Sequence, residues 1–368
     1  MNEESENTAN RSFRLHTQSE GVLLPPSEPE NGQNPPAGLT GLNNLPFDHP
    51  LAATVRSAQD YARASKSAAT QKAYNADWRD FTTWCALAGL VPLPASPEAV
   101  CLYIADLADR RGRKVSTITR RLTSIATAHR RAGYPSPCDM RNTGLADVYH
   151  GIRRKLGVRQ AGKRAMTLDV LRAIVAAGGD TLKGTRDRAL LLVGFAGGLR
   201  CSELAAIRVE HLNSHPAGVT VHLPRSKTDQ EGQGRDVELP LGIQPDDTPL
   251  DELICPVRAL RQWMGEAGIT AGPVFRRVSW AQTVGGALNS ASVRWILKQA
   301  LRRAGVDENS VREYGAHSLR AGFVTVAYKN GARTKEIAQQ TGHKSIVMVH
   351  KYIRDEEAAQ SAARKLGM

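Results

Sequence analysis

The sequence contains no run of about twenty apolar residues, the length a helix needs to cross a bilayer. Its N-terminus lacks the basic segment and apolar core of a secretory signal. The five cysteines, Cys85, Cys101, Cys138, Cys201 and Cys255, are odd in number and scattered, with no CxxC pair. That argues against a disulfide or zinc framework and for reduced thiols in a cytoplasmic protein. There is no GxxxxGKS/T loop, so no P-loop nucleotide site is expected. His317, His343 and His350 are near one another in sequence, but without HExxH spacing and with no carboxylate or cysteine to complete a ligand set. Neither a metal nor a cofactor is expected. No internal repeat is visible either.

What is present is positive charge. Across 368 residues, 49 Lys and Arg face 36 Asp and Glu, a formal excess of +13. Such an excess speaks of partners rather than fold and points first to nucleic acid. The length is too great for one ordinary core and predicts two domains.

Residues 1–52 read as a tail, rich in Pro, Gly, Asn and Glu and without periodicity, unable to bury enough apolar surface to order itself. Residues 53–157 read as a helical domain. TQKAYNADWRDFTTWCALAG carries Tyr74, Trp78, Phe81, Trp84 and Cys85 at helical spacing. Ser96-Pro97 reads as an N-cap and first-turn proline, Ser116 opens a further helix, and another covers roughly 143–156. The helix opened by Ser116 carries Arg120, Arg121, Arg130 and Arg131. Any one of them fits a solvated face, but the cluster leans toward phosphate contacts. Residues 158–165 form a basic linker whose Arg159, Lys163 and Arg164 are suited to run along a polyanion.

From 166 to 368 the texture is α+β. Helical segments include TLDVLRAIVAAGG, TRDRALLLVGFAGG, SELAAIRVEHL, PVRALRQWMGEAG and SASVRWILKQALRRAG. Between them VTVHLP (219–224) and RDVELP (235–240) alternate as strands of a hairpin around RSKTDQEGQG. The predicted fold class is mainly α with a small antiparallel β-sheet.

Several residues ask for more than packing. In GGLRCSEL one apolar helix ends and another begins, with Ser202 as the expected N-cap and Arg200 just outside it. An arginine there suits an anion near a helix N-terminus, although an ion pair with Glu203 is the simpler use. Lys227 sits in the hairpin loop, which also carries Arg225 and leads to Arg235. His317 and Arg320 in HSLRAGF are three apart and neighbours on a helix. His343 follows a glycine, and Tyr352 lies between Lys351 and Arg354. Together these make a cationic cage with one hydroxyl and no paired acidic metal site. Arginines clamp a phosphodiester bidentately, a tyrosine can attack it covalently, and a lysine can protonate the leaving oxygen.

The order and spacing of GGLRCSEL, RSKTD, HSLRAGF, TGHKS and HKYIR, with Tyr352 nine residues after His343, resemble the tyrosine recombinase (phage integrase) family. YNADWRDFTTWC and SIVMVHKYIR look most like its Cre-type branch. The resemblance spans nearly all of residues 65–365. It implies a SAM-like helical core-binding domain that clamps DNA, ahead of an α+β catalytic domain. It further implies site-specific recombination through a 3′-phosphotyrosyl intermediate and a Holliday junction, without cofactor. The partner would be double-stranded DNA bearing a recombination site, with self-association to a tetramer, in the bacterial cytoplasm at the nucleoid. Carried over by position, Arg200 and Arg320 would hold the scissile phosphate, with His317 as acid/base and Lys227 as general acid. His343 would hydrogen-bond the phosphate, Tyr352 would be the nucleophile, and Glu203 would orient its basic neighbours. DEEAAQSAARKLGM after the tyrosine reads as a helix that docks on a neighbouring protomer. Two other readings of the same residues are a type IB topoisomerase-like enzyme and a non-catalytic DNA-binding protein that kept the fold.

Overall fold

The computed structural model describes residues 49–158, 162–224, 229, 232–241 and 254–357. Most of the expected tail, Arg159, Lys227 and the chain beyond 357 lie outside the described residues. Contacts divide the chain into two units, 1–160 and 161–368.

The first unit is helical: α1 (Ala52–Ala64), α2 (Ala68–Ala88), α3 (Pro97–Asp109), α4 (Val115–Arg131) and α5 (Thr143–Leu156). Side-chain oxygens cap the starts of α2, α3 and α5, with Ser67 accepting from Thr70 N, Ser96 from Ala99 N ahead of Pro97, and Asn142 from Leu145 N, while α4 starts from Lys114 without a side-chain cap and Ser116 lies inside it. Val100, Tyr103, Ile104 and Leu107 form one stripe of α3, and they meet Phe81, Cys85, Ile118, Leu122, Ile125 and Leu145 in a single core.

A polar knot sits beside that core. Asp80 of α2 accepts from Tyr103 Oη at 2.6 Å and from both Arg111 Nη atoms at 2.9 and 2.6 Å. It also accepts from Arg121, which bonds Tyr103 as well. Arg120 pairs with the buried Asp77 at 3.1 Å. These bonds pull the Asp80 carboxyl far below its usual range against the cost of its burial.

The second unit holds α6 (Leu168–Ala176), α7 (Leu182–Ala196), α8 (Cys201–Ala205), a 3-10 turn at Val209–His211, β1 (Leu212–His215), β2 (Gly218–Leu223) and β3 (Arg235–Pro240). It continues with α9 (Pro256–Glu266), β4 (Arg276–Val278), β5 (Val284–Ala287), α10 (Ser290–Arg303), α11 (Glu308–Glu313), α12 (Ser318–Lys329), α13 (Thr334–Thr341) and α14 (Ile346–Glu357). The apolar run ALLLVGF makes α7 buried around its circumference, the central post of the larger core. β1, β2 and β3 form an antiparallel sheet in that order, pairing Val221 with Val237 and Val219 with Leu239 on the buried face. A second cluster, Val324, Ile337, Val349 and Ile353, joins α12, α13 and α14, with Phe323 and Tyr352 packed against it.

SELAAIRVEHL is not one helix. It stops at Ala205 because the chain beyond is drawn into extended contacts, with Val274 N donating to Ile207 O at 3.0 Å and Val209 N to Gly272 O at 2.9 Å. β1 and the β4–β5 hairpin go beyond the two strands read from the sequence.

Candidate active site

The turn between α7 and α8 fixes the first arginine. Gly198 takes φ +55°, and a Cβ there would stand 2.8 Å from Thr341 Cγ2 and 2.9 Å from Phe323 Cδ1. Glycine is required both by the backbone and by the close approach of α12 and α13. The N-cap of α8 is Arg200, in extended conformation, rather than the expected Ser202. Glu203, three residues on, turns back to accept from Arg200 N at 3.0 Å and from Arg200 Nη1 at 2.5 Å. The simpler expectation, an Arg200–Glu203 ion pair, is thus present, and it aims Arg200 rather than neutralising the site.

The second oxygen of Glu203 also accepts from Arg235 Nη2 at 3.0 Å. Arg235 opens β3, donates from Nη1 to the Gln340 carbonyl, and crowds Gly342 so closely that a Cβ there would meet its Nε at 2.6 Å. Gln340 binds the same strand, donating to Glu238 O at 2.7 Å. Arg235 is a member of the cage that the sequence reading did not single out. Its hairpin position gave no sign that the end of α13 would lie across it.

Arg320 is among the largest fully buried side chains, 1% exposed. Its Nη1 donates to Gly198 O at 2.8 Å, while Nη2 is buried with no hydrogen-bond partner among the described residues. Burial first, and the nearby Arg200 second, lower its pKa to about 10. Arg200 and Arg235 thus share the Glu203 carboxylate while Arg320 bonds only a carbonyl, so three guanidiniums stand near one carboxylate and positive charge is in excess. At an effective dielectric of about 20, a unit anion about 4 Å from one such cation gains about 4 kcal/mol, several times a surface ion pair.

His343 stands at the end of α13 with Nδ1 2.7 Å from Thr341 Oγ1. Burial, then the fields of Arg320, Arg200 and Arg235, hold its pKa down to about 4, so the ring is neutral near pH 7. The Tyr352 ring on α14 lies beside it, centroids 5.7 Å apart. His317 is the exposed N-cap of α12 and accepts Ala321 N at 2.8 Å. Although three residues apart, His317 and Arg320 therefore differ in depth. Cys201 Sγ bonds Ala316 O at 3.2 Å, tying the start of α8 to the turn before His317.

The expected DNA-facing arginines separate. Arg121 is 8% exposed and bound into the Asp80 knot, so its burial places it away from a phosphate-facing surface. Arg120 is exposed while pairing with Asp77, and Arg130 and Arg131 stay exposed at the end of α4. Lys163 and Arg164 are held by the second unit instead of spanning free: Lys163 donates to Arg312 O at 2.8 Å, and Arg164 pairs with Glu313 at 3.4 Å and covers the Tyr314 ring. Lys227 and Arg159 lie outside the described residues. Among the described residues no group of three His, Cys, Asp or Glu is placed to hold a metal.

Residues 164–359 match the model of the phage integrase family. The chain is 39% identical over 292 residues to an integrase/recombinase XerD homolog of Selenomonas ruminantium, covering 78% of this chain and 82% of that protein. It is 24% identical over 288 residues to the tyrosine recombinase XerC of Xylella fastidiosa strain M23, covering 78% and 86%. Among solved structures, it is similar in fold to lambda integrase (75–356) bound as a dimer to a core site, with TM-score 0.52, 17% identity, and 81% and 93% covered. XerH recombinase bound to difH DNA after cleavage is also similar, with TM-score 0.51, 16% identity, and 73% and 70% covered.

Proposed function

The chain belongs to the phage integrase family, and from that premise we propose that the cage grips one phosphodiester while Tyr352 attacks it. The protein is a site-specific recombinase that cleaves and rejoins DNA. The observation that carries our assignment of its parts is Arg320, buried near Arg200, Arg235, His343 and Tyr352 with an Nη2 that has no partner among the described residues.

In this reading Arg200 and Arg320 bind the nonbridging oxygens, Glu203 orients Arg200, and His343 completes the ring around the phosphate. Tyr352 Oη loses its proton and bonds phosphorus as the P–O5′ bond breaks, leaving a 3′-phosphotyrosyl ester. The departing 5′-oxygen takes a proton from Lys227, an ammonium able to lose it where an arginine is not. His317 assists proton transfer near the nucleophile. The ester conserves the bond energy, so religation needs no cofactor. Two rounds on paired double-stranded sites give a Holliday junction and its resolution, in a tetramer in the cytoplasm. The exposed arginines of α4 supply phosphate contacts away from the scissile bond.

Covalent capture tests the reading. Protein is incubated with fragmented genomic and mobile-element DNA in EDTA and quenched in SDS, and the retained DNA is sequenced. Adducts with wild type but not Tyr352→Phe, at a short inverted repeat, are expected. Adducts that persist in Tyr352→Phe would sink the assignment of the nucleophile. So would their absence from wild type on a nicked suicide duplex.

A further inference from the structure

Thr341 is fully buried, and its hydroxyl has three acceptor-capable neighbours, of which the Ala338 carbonyl oxygen at 3.4 Å is the farthest. Oγ1 is 2.5 Å from the Ile337 carbonyl oxygen and 2.7 Å from His343 Nδ1. Two oxygens at that first distance repel unless a proton lies between them, and the carbonyl has none to give. The single hydroxyl proton therefore sits on the Ile337 side. The hydroxyl oxygen is left to accept, so Nδ1 must donate. In the neutral ring the proton is then on Nδ1, and Nε2 carries a bare lone pair.

We propose that Thr341 fixes His343 in this tautomer so that Nε2 takes the Tyr352 phenolic proton as the tyrosine attacks. This rests on the recombinase reading above and assigns His343 a proton-accepting step within it. Thr341 is a positioning residue that acts only through the imidazole. The balance is simple. The Oη–H bond breaks, Nε2–H forms, and the electron pair left on Oη bonds phosphorus. The P–O5′ pair leaves with the 5′-oxygen, which is protonated by Lys227. The imidazolium then donates from Nε2 to a phosphate oxygen, so the expected phosphate contact of His343 follows proton transfer.

The cage times the step. The charges acting on the ring are those of Arg320 from α12, Arg200 and Glu203 at the start of α8 and Arg235 from β3, and the Tyr352 ring of α14 lies beside it. Asp229, Lys335 and Lys344 line the same open pocket. Without an anion the three arginines oppose a further positive charge on the ring. A bound phosphodiester offsets their field and makes Nε2 more basic when the proton must move.

The test reads the tautomer directly by 15N NMR of the full chain labelled at histidine, with His343→Gln to assign the signal. It also measures single-turnover cleavage of a nicked suicide duplex bearing the captured sequence. Wild type is expected to show one neutral tautomer protonated at Nδ1. Thr341→Val mixes the tautomers and slows cleavage about tenfold, and Thr341→Ser restores both. His343→Gln keeps an N–H donor but no base and slows cleavage on the order of a hundredfold. A proton on Nε2 in wild type overturns the proposal, as does His343→Gln cleaving at the wild-type rate. If Thr341→Val fails to fold, the wild-type spectrum and His343→Gln decide alone. Loss of the underlying reading has a separate signature, the absence of a Tyr352-dependent adduct in wild type, while the tautomer is read without DNA.

Discussion

The two units each gather arginines around a buried one, Arg121 in the first and Arg320 in the second, and they do so to opposite ends. In the helical unit, Asp80 and Tyr103 receive Arg111 and Arg121, and Asp77 receives Arg120. In the second unit, Arg200 and Arg235 divide the Glu203 carboxylate, and Arg320 keeps a buried Nη2 with no partner among the described residues. A buried cation set between carboxylates is a fastening, even though Arg121 Nε and Asp77 Oδ2 also have no partner among the described residues. A buried cation left in excess costs free energy until an anion arrives, and persists because the fold around it is strong enough to hold it. The ratio of guanidinium to carboxylate, rather than the number of arginines, separates framework from receptor.

Replacing one arginine from each unit should therefore give opposite phenotypes. Arg320→Met is expected to slow single-turnover cleavage about a thousandfold, by loss of a preorganised donor to the transition state. Urea unfolding should show its stability within about 1 kcal/mol of wild type, because no protein carboxylate is left unpaired. Arg121→Met should cost about 3 kcal/mol in the same unfolding experiment, since it strips a buried partner from Asp80 and Tyr103. Equal stability losses in the two variants would erase the distinction.

Acid sharpens the contrast. Asp80 has its pKa depressed in the folded state, so it adds stability above its unfolded value, lost as pH falls through the folded one. His343 is also depressed, from 6.5 to about 4, with the neutral form favoured in the fold. The unfolded chain then takes up the histidine proton first, and stability declines as pH falls across that window. Acid titration by circular dichroism should show the second unit weakening between those values and the Asp80 knot opening only at lower pH. In Arg235→Gln the His343 window should narrow from its lower end, as seen by NMR titration. A smaller effect is expected of Gly342→Ala. At φ +66°, with Arg235 Nε in the way, it should cost about 1–2 kcal/mol and slow cleavage several-fold. An unchanged thermal midpoint would mean the close approach is slack.

The cage residues were legible in the sequence to the extent that a short segment sets them. Arg200 and Glu203 are three apart at a helix start, and Arg320, His343 and Tyr352 sit in motifs whose order carries the resemblance. Arg235 was not singled out, because its role depends on α13 crossing β3, a contact 105 residues apart. Arg121 read as a phosphate contact because its own helix does not reveal that Asp80, 41 residues earlier, lies over it. The α7, α9 and α10 helices and the β2–β3 hairpin follow from periodicity. β1, with the sequence LNSH, has no alternation of its own and is a strand only because β2 offers it a ladder. The helical expectation for SELAAIRVEHL failed for the same reason, tertiary bonding to the segment around Gly272 overriding local propensity.

The Nη2 of Arg320, without a partner among the described residues, also bears on stability. A ligand that binds only the native state lowers the unfolded fraction by the factor one plus its concentration over Kd. Molecules seated on DNA are therefore expected to open less often than unbound ones. On the proposed reading, the same chemistry that would grip phosphate also adds to native-state stability when DNA is bound, with an expected rise in unfolding midpoint on adding site DNA.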